Sequence, residues 1–159
     1  MIEHPFPPLY NKESKILILG SFPSVKSREQ KFFYGHPQNR FWKVVAAVFE
    51  CEVPETTDEK KKFLLENGIA LWDVIASCEI MGSSDSSIRD VKVNDLSEIF
   101  AVADIRQIFV NGKTAEKYFK KYTRTQVGRD AVTLPSTSPA NAAWTVERLI
   151  EEWKVIKSI

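Results

Sequence analysis

Apolar and polar residues fall along this chain in two kinds of block. Four short stretches are continuously apolar: "KILIL" (15–19), "IALWDV" (69–74), "IRQIFV" (105–110) and "DAVTL" (130–134). Apolar runs of this length without strict alternation are expected of strands covered on both faces. Between them the apolar residues recur with a helical period. In 38–49, Phe41, Val44, Val45 and Val48 share one face, and 58–67 reads as a helix that Gly68 would end. Helical patterns also cover 94–103 and 112–122. The last spans 139–157, with Ala142, Val146, Leu149, Ile150, Trp153 and Ile156 on one stripe. Strand alternating with helix predicts parallel pairing and right-handed crossovers. The expected fold is α/β, a three-layer α/β/α sandwich with a short, mainly parallel four-stranded sheet. The 159 residues suit one domain over 1–159, and no repeat or linker interrupts them.

In such sheets ligands bind beyond the carboxyl ends of the strands. The four post-strand segments are "GSFPS" (20–24), "DVIASCEIMGSSDS" (73–86), "NGK" (111–113) and "PSTSPAN" (135–141). All are rich in Gly, Ser, Pro or Asn, and together they suggest a rim built for close backbone approach. "GSFPS" lacks the Gly-Lys-Ser/Thr ending of a phosphate-binding loop and the three glycines of a dinucleotide fingerprint. Phe22 is read either as a core residue or as a stacking platform for a flat ligand. Ser138 reads as the N-cap of the last helix, with Pro139 at its first position. Asn111 caps a helix or reads the edge of a planar heterocycle, since its amide offers a donor beside an acceptor. Asp73, Asp85 and Asp90 are candidate general bases. Asp73 is the best placed, although an Asp bonding backbone N–H groups is the first reading of it.

Composition removes several classes. A 43% hydrophobic and 27% charged content is ordinary for a soluble protein, and no apolar run approaches a membrane span. The opening residues resemble neither a secretory nor an organellar signal, so an intracellular compartment is expected. Two cysteines, Cys51 and Cys78, and two histidines, His4 and His36, suit neither a tetrahedral zinc site nor an iron–sulfur cluster. No metal and no cofactor is expected. The net charge of +1 is not a global basic excess, but Lys and Arg cluster at 26–31, 40–43, 113–124 and 129. Each cluster alone reads as a solvated face.

Taken in order, "ILILGSFPS", "FFYGHPQNRFW", "ALWDVIASC", "GSSDSSI", "FVNGKTA" and "LPSTSPAN" resemble the uracil-DNA glycosylase superfamily. They are most similar to its hypoxanthine-DNA glycosylase branch, with the mismatch-specific uracil/thymine glycosylases as near relatives. The resemblance covers most of the chain. It implies an enzyme that flips one damaged nucleotide out of DNA, because the reacting atoms cannot be reached inside the stack, and then hydrolyses its N-glycosidic bond. Phe22 stands where related enzymes carry an Asp or Asn that positions water, Ser24 where many carry a Tyr that blocks bulky bases, and Leu134 where many carry His. The hypoxanthine branch shares the missing first-motif residue and assigns catalysis to the Asn of "HPQNRFW", which is Asn39 here.

The resemblance therefore implies Asn39 as the catalytic residue, its carbonyl holding a water and its NH₂ a sugar or phosphate. Gly20, Ser21, Phe22, Ser24 and Asn111 would bind the base. His36, Arg40, Lys113, Ser136, Ser138 and Asn141 would meet DNA, with Lys26 and Arg28 near the same rim; such contacts fix register rather than sequence. No intercalating side chain is evident in 135–141. Hypoxanthine is the favoured base, a monomer is the expected state, and the substrate is DNA containing a damaged or mismatched base. A uracil or G·T/G·U mismatch glycosylase on the same scaffold, and a non-catalytic damaged-DNA or nucleotide-binding module, are the alternative readings.

Overall fold

The computed structural model of the protein describes residues 2–79 and 88–159. The candidate base Asp85 and most of "GSSDSSI" lie outside the described residues.

Four strands form the expected parallel sheet: β2 (Ile16–Gly20), β3 (Ile69–Asp73), β6 (Gln107–Asn111) and β7 (Val132–Leu134), in the order β3-β2-β6-β7. Every residue of β2 and β3 is buried, so both faces of the sheet are covered, as their continuous apolar runs require. The α/β/α arrangement follows, with helices α1 (Val25–Gln30), α2 (Phe41–Val48), α3 (Thr57–Glu66), α4 (Ser97–Val102), α5 (Lys113–Tyr118), α6 (Arg124–Val127) and α7 (Val146–Trp153). Helix α2 presents Phe41, Val44, Val45 and Val48 to the core, all buried. It packs on α7, where Phe41 meets Trp153 edge to face at 5.8 Å. Helix α3 opens on a capping box: the Thr56 hydroxyl accepts from Glu59 N–H and the Glu59 carboxylate from Thr56 N–H. The helical pattern predicted over 112–122 is longer than expected and broken, because a π turn at Phe119–Thr123 joins α5 to α6.

Two findings depart from the sequence reading. The first is a second sheet, antiparallel, in the order β1-β4-β5, made of β1 (Ile2–Glu3), β4 (Ile75–Glu79) and β5 (Arg89–Val93). Residues 75–79 were expected to be loop. Instead the chain runs from β3 past Val74 straight into β4, with Val74 N–H donating to Gly20 and Ile75 N–H to Ser21. The second is the start of the C-terminal helix. It begins at Val146, and the Thr145 hydroxyl caps it by accepting from Arg148 N–H. Ser138 is therefore not its N-cap and Pro139 not its first residue. The Ser138 hydroxyl does accept a nearby N–H, that of Ala140, but in a turn of the 135–145 loop. Ala142 is exposed, while Leu149, Trp153 and Ile156 carry the buried stripe.

Candidate functional site

The last residues of the four parallel strands, Gly20, Asp73, Asn111 and Leu134, all line one cleft of about 880 Å³. Strand ends deliver them there by register, since Gly20 pairs with Asp73 and Asn111 with Leu134. Much of the remaining lining comes from the segments that follow: Ser21, Phe22 and Ser24 after β2, Gly112 and Lys113 after β6, and 135–138 with Asn141 after β7. The loop before α2 adds Tyr34 and Asn39.

Asn39 and Asn111 meet through one side chain. The Asn111 NH₂ donates to the Thr137 hydroxyl at 3.0 Å, and that hydroxyl donates to the Asn39 carbonyl at 2.9 Å. Thr137 N–H returns a bond to the Asn111 carbonyl at 3.1 Å. Thr137 is wholly buried. The Asn39 carbonyl also accepts from Phe41 N–H at 2.9 Å, so two donors already occupy its lone pairs. The water-holding role expected of that oxygen has no capacity left, and the NH₂ is the group with hydrogen-bonding capacity to spare.

Arg40, expected to contact phosphate, bonds the protein's own backbone. Its guanidinium donates to the carbonyls of Thr137, Ser138, Asn141 and Trp144, and its backbone N–H donates to Thr137 as well. It thereby folds the 137–144 loop against the residue next to Asn39. The same loop is tied from within: Ser136 accepts from Ser138 N–H, and the Asn141 amide donates to the Ser136 carbonyl. Trp153 Nε1 on α7 holds the Pro135 carbonyl at 3.0 Å. Gly112 has φ +95, and a Cβ there would stand 2.9 Å from the Ser136 Cβ, so only glycine lets the two rim loops approach.

Of the expected base-binding residues, Gly20, Ser21, Phe22, Ser24 and Asn111 all line the cleft. Ser24 is also the cap of α1, accepting from Ser27 N–H. Phe22 combines its two readings: it is half-buried against the core and still borders the cleft, with the Arg28 guanidinium 5.8 Å above its ring. Of the expected DNA-contacting residues, Lys113, Ser136, Ser138 and Asn141 line the cleft, whereas His36 and Arg40 do not. His36 Nδ1 accepts from Gln38 N–H at 3.1 Å, within its own turn.

The floor of the cleft holds Asp73, with two residues that the sequence left unassigned, His4 and Tyr34, beside it. Among the described residues, no backbone N–H donates to the Asp73 carboxylate. Its Oδ2 lies 2.7 Å from His4 Nε2, and both side chains are buried. His4 comes from the segment just after β1, 69 residues away, and packs against Phe6 and Trp72 at 4.4 Å each. Tyr34 lies stacked on Phe41 at 4.0 Å, with its hydroxyl buried. Burial, and then the nearby Asp73 carboxylate, push its ionisation well above the ordinary phenol range; the Asn111 amide partly offsets this without the geometry of a hydrogen bond. The signal for His4 and Tyr34 was weak, because one is distant in sequence and the other looks like one more core aromatic. Among the described residues, no three His, Cys, Asp or Glu side chains converge to hold a metal.

Comparison with known proteins adds to this geometry. The family model described as the uracil DNA glycosylase superfamily matches residues 7–158. A protein of Methanosarcina acetivorans named hypoxanthine DNA glycosylase is 36% identical over 158 residues, 98% of each chain. One of the same name from Methanosarcina barkeri is 31% identical over 115 residues, 71% of this chain and 73% of its own. The solution NMR structure of a Methanosarcina acetivorans protein, described as a candidate uracil DNA glycosylase, superposes with a TM-score of 0.83 at 34% identity. The match covers 99% of this chain and 98% of that one.

Proposed function

The chain belongs to the uracil DNA glycosylase superfamily, and from that premise we propose that it is a monofunctional DNA glycosylase that removes a deaminated base, hypoxanthine first, from DNA. The observation that carries this reading is the junction of Asn39 and Asn111 on the Thr137 hydroxyl, at the cleft where four parallel strands end. A flipped nucleoside bound there meets Asn111 with its base and Asn39 with its sugar. Relatives named hypoxanthine DNA glycosylase, one of them matched over nearly the full length, support the base choice, and the small Gly20, Ser21 and Ser24 leave room for a purine. In this reading residues 1–159 form one domain that acts as a monomer on DNA inside the cell.

The bond from C1′ to the base breaks heterolytically and its electron pair leaves with the base. Positive charge develops on the sugar and negative charge on the base; water adds at C1′, and the proton it loses passes to the departed base anion, which leaves as the neutral base. Asn39 cannot act as a base, and its carbonyl is occupied, so its contribution is a fixed N–H donor. Directed at the sugar, a flanking phosphate or the incoming water oxygen, that donor holds the reacting groups in line. Asn111 keeps one N–H and one lone pair beyond its bonds to Thr137, and these meet the base. Donors fixed before the reaction need no reorganisation as charge develops. Charge on the sugar is balanced by the substrate's own phosphates. Replacing Asn39 with Ala is expected to lower single-turnover release of hypoxanthine about 100- to 1,000-fold, on the order of 3–4 kcal/mol. Release near the wild-type rate would remove Asn39 from the mechanism.

A further inference from the structure

Three of the four tryptophans serve the core. Trp42, Trp72 and Trp153 are 6%, 8% and 0% exposed, and the indole N–H groups of Trp42 and Trp153 donate to the Tyr34 and Pro135 carbonyls. Trp144 differs: it is half-buried and lines the cleft. It is the one large side chain of the 135–145 loop, whose other members are Pro, Ser, Thr, Ala and Asn. Its neighbours Ala142, Ala143 and Thr145 are exposed. A partly open indole among small residues, at the rim of a binding cleft, is surface set aside for a flat partner.

The ring is held before any ligand arrives. Arg40, the residue after Asn39, donates from its guanidinium to the Trp144 carbonyl, and Trp144 N–H donates to the Asn141 carbonyl. A single side chain thus spans from the neighbour of Asn39 to Trp144. The Arg148 guanidinium lies over the indole, 4.2 Å from its centre, and donates to the Ala143 carbonyl at 3.3 Å. Arg148 itself is fixed in the first turn of α7, where its N–H bonds the Thr145 hydroxyl. The cleft of about 880 Å³ is near the upper end for a small-molecule site, and one nucleoside does not fill it.

We infer that Trp144 is a stacking platform for a base that flanks the extruded nucleotide in the same strand. Turning one nucleotide out breaks the stack on both of its sides, so a neighbouring base is left with a bare face. The indole replaces the lost partner, and Arg148, stacked on the indole, puts positive charge beside the strand's phosphates. Every base has a flat face, so the platform accepts any neighbour and serves single strands as well as duplexes. Because ring and guanidinium are fixed in advance, little freedom is lost when a base settles there.

This inference rests on the glycosylase reading above, but its test needs no base release. A short undamaged single strand and a duplex carrying hypoxanthine, each end-labelled, are titrated with the protein. Binding is followed by anisotropy of the label, and tryptophan emission is read in parallel with and without acrylamide. With the other three indoles buried, acrylamide reaches chiefly Trp144. Both DNAs are expected to quench the emission and to shield it from acrylamide. Trp144→Leu is expected to weaken binding of both about tenfold, and Trp144→Phe, which restores a flat ring, to recover most of that loss. Emission that stays unchanged and open to acrylamide while the label reports binding overturns the inference, and that arm needs no variant. Trp144→Leu binding both DNAs like the wild type overturns it too. So does a loss confined to the duplex, which would make Trp144 a wedge rather than a platform. Release of free base from the hypoxanthine duplex is measured alongside. A chain whose indole is shielded by DNA but that frees no base keeps the platform and overturns the glycosylase reading. One that frees hypoxanthine with Trp144 still open to acrylamide does the reverse.

Discussion

The two walls of the cleft use their hydrogen bonds in opposite ways. On one wall, Asn39, Thr137 and Asn111 bond to one another and to backbone, and Arg40 fixes the loop behind them. On the floor, among the described residues, the buried Tyr34 hydroxyl makes no hydrogen bond and one Asp73 oxygen is open. A wall that is already satisfied holds its shape before the substrate arrives, which suits groups that must be in place as charge develops. A floor with open valences is satisfied only by a ligand of the right pattern, which suits discrimination. Fixed geometry and unused hydrogen-bonding capacity thus fall on different residues of one cleft.

Four substitutions sharpen or break that contrast. The largest effect is expected from Thr137→Val, which keeps the volume and removes the hydroxyl shared by the two asparagines. It should lower hypoxanthine release by about 10- to 100-fold and destabilise the fold by about 1–3 kcal/mol, because two half-buried amide groups lose a partner. Release rates on hypoxanthine and adenine should fall together. If they diverge, the division between wall and floor is wrong. Next comes Arg40→Lys. One ammonium cannot reach four carbonyls, so thermal or urea unfolding should show a loss of about 2 kcal/mol. The salt dependence of DNA binding should stay as it was, and a log–log slope shallower by about 1 would instead make Arg40 a phosphate ligand. His4→Phe comes third. It fills the space but deprives Asp73 of its partner, and should cost about 1–2 kcal/mol of stability. The hypoxanthine-to-adenine ratio should narrow several-fold, and an unchanged ratio would detach His4 from base reading. Lys113→Ala should have the smallest effect. Lys113 is exposed at the rim, so affinity should weaken a few-fold on every sequence, with the salt slope reduced by about 1.

Much of this could be read before any coordinates. The parallel sheet was legible because strands buried on both faces must be apolar along their centres, and β2, β3 and β6 are, with polar residues only at the ends of β3 and β6. Asn39 and Asn111 were legible because each sits in a short motif at an element boundary. The second sheet was not. Strand β1 has two residues, β4 follows β3 without a turn, and their pairing joins Ile2 to Cys78. No local signal encodes a contact that distant. The start of α7 was misread because Ser138-Pro139 has the chemistry of a helix entry while Arg40 holds that segment as a loop. Thr137 was hidden for a different reason. A small hydroxyl among Ser, Thr and Pro residues gives no hint that it alone is buried. Asp73 was noticed for its position and misjudged in its bonding, since His4 lies at the far end of the chain.

That placement of His4 makes the amino terminus something other than a dispensable tail. Residues 2–4 run along β4, with His4 N–H bonded to the Ala76 carbonyl, and insert an imidazole beneath the cleft. A shortened chain starting at Pro5 would keep the parallel sheet and every amide of the Asn39 wall. It would also flood the underside of Asp73 with water, blunting the choice between bases while leaving the cutting apparatus whole.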